Sequence, residues 1–288
     1  MNRQPASENS RPHGMVAQLR KSMSRRHALA LLGGAAGTAL VVGCGSGAES
    51  ALMDEDTDTG SGTDTGTSSS SGSCTVVAEE TNGPFPADGS NTNNGVVKNV
   101  FTDSRAFRTD IRSDFDGNNV QTGTPFEFTI TLLDANGNCE PLSGYYIYVW
   151  HCSRTGSYSQ YSGNMNGGNY ADNTWLRGVG QTDANGQVTF TTIFPGRYSG
   201  RATHIHFEVY PDGTPEYSEV IATSQLAFPE SVTDSVYTNT TLYPNSAAND
   251  TENEDDNIFS DGTDTEMLTV SGNNSDGYTA SITVAVSA

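Results

Sequence analysis

Positive charge is scarce in this sequence. Of 288 residues only 14 are Lys or Arg, against 34 Asp or Glu, for a net charge of −20. The first 73 residues hold six of those basic side chains, so residues 74–288 carry eight against 27 acidic ones. A surface this acidic repels phosphate backbones and argues against nucleic acid as a partner. Charged residues make up 17% and hydrophobic ones 34%, alongside 31 Gly and many Ser, Thr and Asn. That mix excludes coiled coils and helix bundles, which need Leu, Glu, Lys and Ala in bulk. Long apolar runs are missing as well. The stretch from Ala28 to Val42 is too short to span a bilayer comfortably.

That stretch has the layout of an export signal. Ser24-Arg25-Arg26-His27-Ala28-Leu29 sets paired arginines before the apolar run and resembles a twin-arginine signal. Val41-Val42-Gly43-Cys44 resembles a bacterial lipobox, in which Cys44 is lipidated and becomes the new N-terminus. An ordinary cleaved signal with an incidental Cys44 is the alternative. Residues 1–43 are thus expected to be the signal peptide. Residues 44–73, rich in Ser, Thr, Gly and Asp, cannot bury enough surface to offset ordering and read as a disordered tether. The expected location is the cell envelope after export, in the periplasm or at the outer membrane or cell surface. The membrane would be touched only through lipid on Cys44.

Residues 74–288 read as one all-β domain, an antiparallel sandwich with long loops and little helix. Phe126–Leu133, Tyr145–His151, Gln187–Ile193, His204–Tyr210 and Thr279–Val286 alternate or run apolar as strands do. Asp134-Ala-Asn-Gly-Asn138 and Asp183-Ala-Asn-Gly186 supply turns. No segment carries a 3.6-residue apolar repeat beyond two turns. Cysteine is sparse too: besides Cys44 there are Cys74, Cys139 and Cys152. An oxidising compartment favours one disulfide. Cys74 and Cys139 are the preferred pair, both at strand edges in loops, and Cys152 reads as a buried free thiol rather than a nucleophile.

Only three histidines, His151, His204 and His206, fall in this domain. His204-Ile205-His206 lies on a strand, so both imidazoles share one face about 7 Å apart at the backbone, near enough to chelate one ion. Their context is more specific. Trp150, Gly156-Ser157-Tyr158, Thr182-Asp183-Ala184-Asn185-Gly186, Pro195-Gly196-Arg197-Tyr198 and Arg201-Ala202-Thr203-His204-Ile205-His206 follow one another in order. Thr81-Asn82-Gly83-Pro84-Phe85 precedes them. In these motifs, over residues 74–215, the sequence resembles the intradiol ring-cleavage dioxygenases, the catechol 1,2- and protocatechuate 3,4-dioxygenase group.

The resemblance implies a mononuclear non-haem Fe(III) held by Tyr158, Tyr198, His204 and His206, with Tyr158 and His206 equatorial and Tyr198 and His204 axial. It implies an aromatic diol and O2 as reactants and a cis,cis-muconate-type diacid as product. Tyr198 would be the phenolate that is released and takes a substrate proton. Arg201 would stabilise negative charge developing beside the ring, and Gly83 and Pro84 would wall the substrate pocket. His151 and Arg177 read as structural, and the acidic run Asn249–Asp256 as a solvated loop in preference to a Ca2+ site. Three departures bear on substrate identity more than on metal binding. Only Ser199 and Gly200 separate Tyr198 from Arg201, Ala202-Thr203 stands where Pro-Ala is usual, and no helical dimerisation segment precedes the domain. A homo-oligomer remains open. So do a non-catalytic binding or adhesion sandwich and a zinc or copper enzyme built on the His-x-His pair.

Overall fold

The computed structural model describes residues 73–198, 200–213, 215–246 and 249–288. The expected signal peptide, Cys44 and nearly all of the tether lie outside the described residues.

Asp88–Asn93 (β1) and Val96–Asn99 (β2) form a hairpin. Its two-residue turn, Asn94-Gly95, sits at positive φ at both positions, as that turn type requires. Pro125–Asp134 (β3), Glu140–Pro141 (β4) and Tyr146–Trp150 (β5) follow. Two short strands, Ser162–Gly163 (β6) and Gly168–Asn169 (β7), pair in the next loop. Then come Arg177–Gln181 (β8), Gln187–Ile193 (β9), His204–Tyr210 (β10) and Ala222–Ala227 (β11). One α-helix, Glu230–Tyr237 (α1), precedes Thr269–Asn273 (β12) and Gly277–Val286 (β13). Its two turns agree with the weak helical periodicity of the sequence.

Two sheets make an all-β sandwich. One has the order β11-β10-β5-β8, antiparallel throughout. In the other, β12 pairs β13, β13 pairs β3, and the far edge of β3 is shared by β9 and β4. The β13–β3 pairing is parallel over nine residue pairs, a departure from a purely antiparallel sandwich. Parallel neighbours need a long crossover, and nearly the whole domain supplies it here.

The alternation of β3 puts Phe126, Phe128, Ile130 and Leu132 between the sheets. They meet Ile147 and Val149 of β5 and Ile205, Phe207 and Val209 of β10. The opposite face of the β10 sheet is covered as well. Tyr148, Trp150, Val179 and Tyr210 pack there under Phe85, Ala87, Val100, Phe101 and Ala106 of the N-terminal arm. All seven residues of β10 are therefore buried. A Cys74–Cys139 disulfide ties the start of the arm to the loop after β3, the pairing preferred from sequence.

Candidate metal centre

His204 and His206 project from β10 towards the arm-covered face, their ring centroids 4.7 Å apart and nearly perpendicular. Trp150, the β5 partner of His206, stacks parallel on it at 4.8 Å and fixes the ring. Tyr158 comes from the loop after β5. Asn166 holds that loop by accepting from Tyr158 N at 2.7 Å and donating to Tyr158 O at 2.8 Å. The loop can approach the Tyr198 segment because residue 156 is glycine. At its φ of +83° an added Cβ would stand 2.6 Å from the Arg197 carbonyl oxygen.

The functional atoms converge. Tyr158 Oη lies 3.3 Å and Tyr198 Oη 3.5 Å from His204 Nε2. The Tyr158 ring is 5.8 Å from that of Tyr198 and 6.2 Å from that of His206. His204 Nδ1 sits 2.7 Å from the Ala202 carbonyl. An N–H donated there leaves the Nε2 lone pair facing the phenols. His206 Nδ1 is buried without a hydrogen-bond partner, a state that buried polar atoms rarely keep without cause.

Burial, reinforced by the neighbouring Tyr198, pushes the Tyr158 phenol well above its ordinary range, and burial also raises Tyr198. Burial, with Arg201 adding, pulls His204 well below the usual imidazole value. His206 is lowered by burial and then by His204. The cluster by itself is two neutral phenols and two neutral imidazoles. A trivalent cation fits this donor set, because phenolate is a hard anionic ligand and a strong local charge reverses the protonation logic. Among the described residues no group of three or more His, Cys, Asp and Glu is placed to hold a metal ion. The phenols are what complete the set.

Residues 99–242, half of the chain, match the family model described as Dioxygenase. The match includes Tyr158, Tyr198, Arg201, His204 and His206. The chain belongs to the intradiol ring-cleavage dioxygenase family. A solved intradiol ring-cleavage dioxygenase from Tetranychus urticae shares its fold, with a TM-score of 0.57 and 24% identity over 74% of this chain and 95% of that one. The dioxygenase domain of a carbohydrate-binding fusion protein from Streptomyces sp. SirexAA-E aligns over 73% of this chain and 97% of its own, at 20% identity and a TM-score of 0.46. No curated protein matches the chain.

Around this cluster the structure places the remaining expected residues. Arg201 Nη1 is 3.3 Å from Tyr198 Oη and 3.5 Å from His204 Nε2. Gly83, at φ +68°, lies over His206: an added Cβ would stand 3.2 Å from His206 Cε1. Phe85 of the same segment stacks on Tyr158 at 5.0 Å. Pro84 instead offers its carbonyl to Asn91. His151, lowered to about 4 by burial, bridges the Cys152 carbonyl and Thr192. The Cys152 thiol donates to the Gly196 carbonyl, and burial pushes it up to about 12, far from a nucleophile. Arg177 clamps the arm through the carbonyls of Phe85 and Pro86 and the Tyr158 loop through that of Ser159.

Three residues of the site carry no motif. Gln225 on β11 accepts from Arg201 Nη2 at 2.6 Å and donates to the Thr81 carbonyl, joining Arg201 to the arm. Asn249 donates to the carbonyls of Tyr198 and Arg201, bracing the turn between them. Asp256 is wholly buried and accepts from Arg201 Nε with both carboxylate oxygens, at 2.9 and 2.8 Å. Asn249 and Asp256 belong to the run read from sequence as a solvated loop. Its two ends turn inward because Arg201 and the Tyr198 turn leave donors and carbonyls to be met.

Proposed function

We propose that this dioxygenase binds a non-haem Fe(III) through Tyr158, Tyr198, His204 and His206, and cleaves a catechol-type diol between its two hydroxyl-bearing carbons. Both atoms of O2 enter a cis,cis-muconate-type diacid. The observation that carries the reading is the convergence of two phenol oxygens on His204 Nε2, with the His206 ring beside them.

Bound Fe(III) would supply Lewis-acid activation of the diol towards O2. The rest falls to the protein. Tyr198 is only partly buried and lies on the Arg201 side of the cluster, so its phenolate oxygen is the one placed to take a substrate proton. The Arg201 guanidinium favours the negative charge that this transfer requires. Trp150 fixes the orientation of the His206 ring by stacking on it, and the Ala202 carbonyl sets the His204 tautomer. The Gly83 segment lies against the His206 ring, which limits water on that side of the cluster.

We further propose export with a lipid on Cys44; the Cys74–Cys139 disulfide supports an oxidising compartment. The reading is tested by purifying Tyr158→Phe and wild type in parallel after iron loading. Wild type should be red-brown from tyrosinate-to-iron absorption and should consume O2 with catechol. The variant should lose that colour or its iron, and a variant indistinguishable from wild type would overturn the assignment.

A further inference from the structure

Resting on the ring-cleavage reading, a second question is what the diol ring can carry, and the cations of the domain bear on it. Residues 74–288 contain eight basic side chains, and each donates to an acceptor within the protein. Five lie on carboxylates or backbone carbonyls away from the centre. Three are buried on or near it. Arg177 uses all five donors, two on Ser159, one on Tyr148 and two on the arm carbonyls. Arg197 is bonded to Thr203, the Asn249 carbonyl and Thr233, with Glu230 at 3.6 Å.

Arg201 alone faces Tyr198, and its charge is already matched. Asp256, with none of its surface exposed, receives Arg201 Nε on both oxygens and is itself fixed by Ala202 N at 2.7 Å and Ile258 N at 2.9 Å. Gln225 takes Nη2, which leaves Nη1 aimed at Tyr198 Oη. The guanidinium is thereby held in one orientation as half of a neutral pair. An ionised ring carboxylate entering beside it would leave water, find no uncommitted cation and meet the field of Asp256. Such an unpaired buried charge is the repulsive element by which a site rejects a competitor.

We propose that Asp256 is a positioning and specificity-determining residue: by holding Arg201 and cancelling its charge, it restricts the enzyme to diols that bear no ring carboxylate.

The test compares two diols of similar shape and different charge, 4-methylcatechol and 3,4-dihydroxybenzoate, on iron-loaded wild type, Asp256→Asn and Asp256→Glu. Two quantities are read: Kd without O2, from the change in the visible band on titration, and kcat/KM from O2 uptake. Wild type should favour the methyl diol at least about tenfold in both, the scale of one uncompensated charge. Asp256→Asn should keep the visible band and narrow that preference by about tenfold, while Asp256→Glu should restore it. Equal or better binding of the carboxylate diol by wild type overturns the proposal, even if the variants fail to fold. So does an unchanged ratio in coloured Asp256→Asn. Absence of turnover with the binding preference intact counts against the ring-cleavage reading and not against the role of Asp256.

Discussion

Gly83 and Arg201 show how single residues shape the centre. Gly83→Ala would put a methyl 3.2 Å from His206 Cε1 at a φ of +68°. The expected cost is on the order of 1 kcal/mol from backbone conformation, with a shift of the visible band as His206 moves. A thermal melt and an absorption spectrum check both. Arg201→Ala removes none of the four proposed metal donors, so the colour should persist while kcat falls about 10²–10³-fold, the usual effect of losing one charge-stabilising donor; O2 uptake measures it. The imidazole pair was legible because strand geometry alone puts residues 204 and 206 on one face. The tyrosines were legible only through resemblance, since Tyr158 and Tyr198 are two among 12. Asp256 was not legible. One carboxylate in an acidic run has no local mark distinguishing it, and its role arises only from a contact 55 residues away with Arg201.

Elements differ in legibility for related reasons. β3, β5, β9, β10 and β13 announce themselves because their residues pack on a core of fixed period. β8 does not. Its Arg177-Gly-Val-Gly-Gln181 has no apolar alternation, because the space above it is already filled. A Cβ at Gly178 would stand 2.5 Å from Ile111 Cγ2, and one at Gly180 2.5 Å from Val188 Cγ2. β11 is small and polar, and pairing with β10 rather than side-chain pattern makes it a strand. At this scale Arg177 joins β8 to the arm and to the loop bearing Tyr158. Arg177→Met would leave the carbonyls of Phe85 and Ser159 unmet, while Pro86 keeps the Tyr148 hydroxyl, at a cost of about 3 kcal/mol. A lower urea midpoint should be accompanied by weaker iron retention as the arm loosens.

For the whole molecule, the disulfide and buried carboxyls govern stability. Reducing Cys74–Cys139, 65 residues apart, should lower unfolding free energy by about 2–4 kcal/mol, as read by denaturation with and without reductant. Burial raises Glu208 and Glu266 each to about 8 from 4.5. The folded protein therefore keeps protons that the unfolded chain has released, and this contribution to stability should be lost as pH rises from about 4.5 to about 8. Glu266→Gln, remote from the metal donors, should flatten that slope; an unchanged slope would contradict the assignment. The central claim is the ferric centre. Its most direct test is iron analysis with a visible spectrum on the purified, iron-loaded wild type. Stoichiometric iron with a tyrosinate band that shifts on adding catechol is the predicted result. A colourless protein that retains no iron and takes up no O2 would contradict the account.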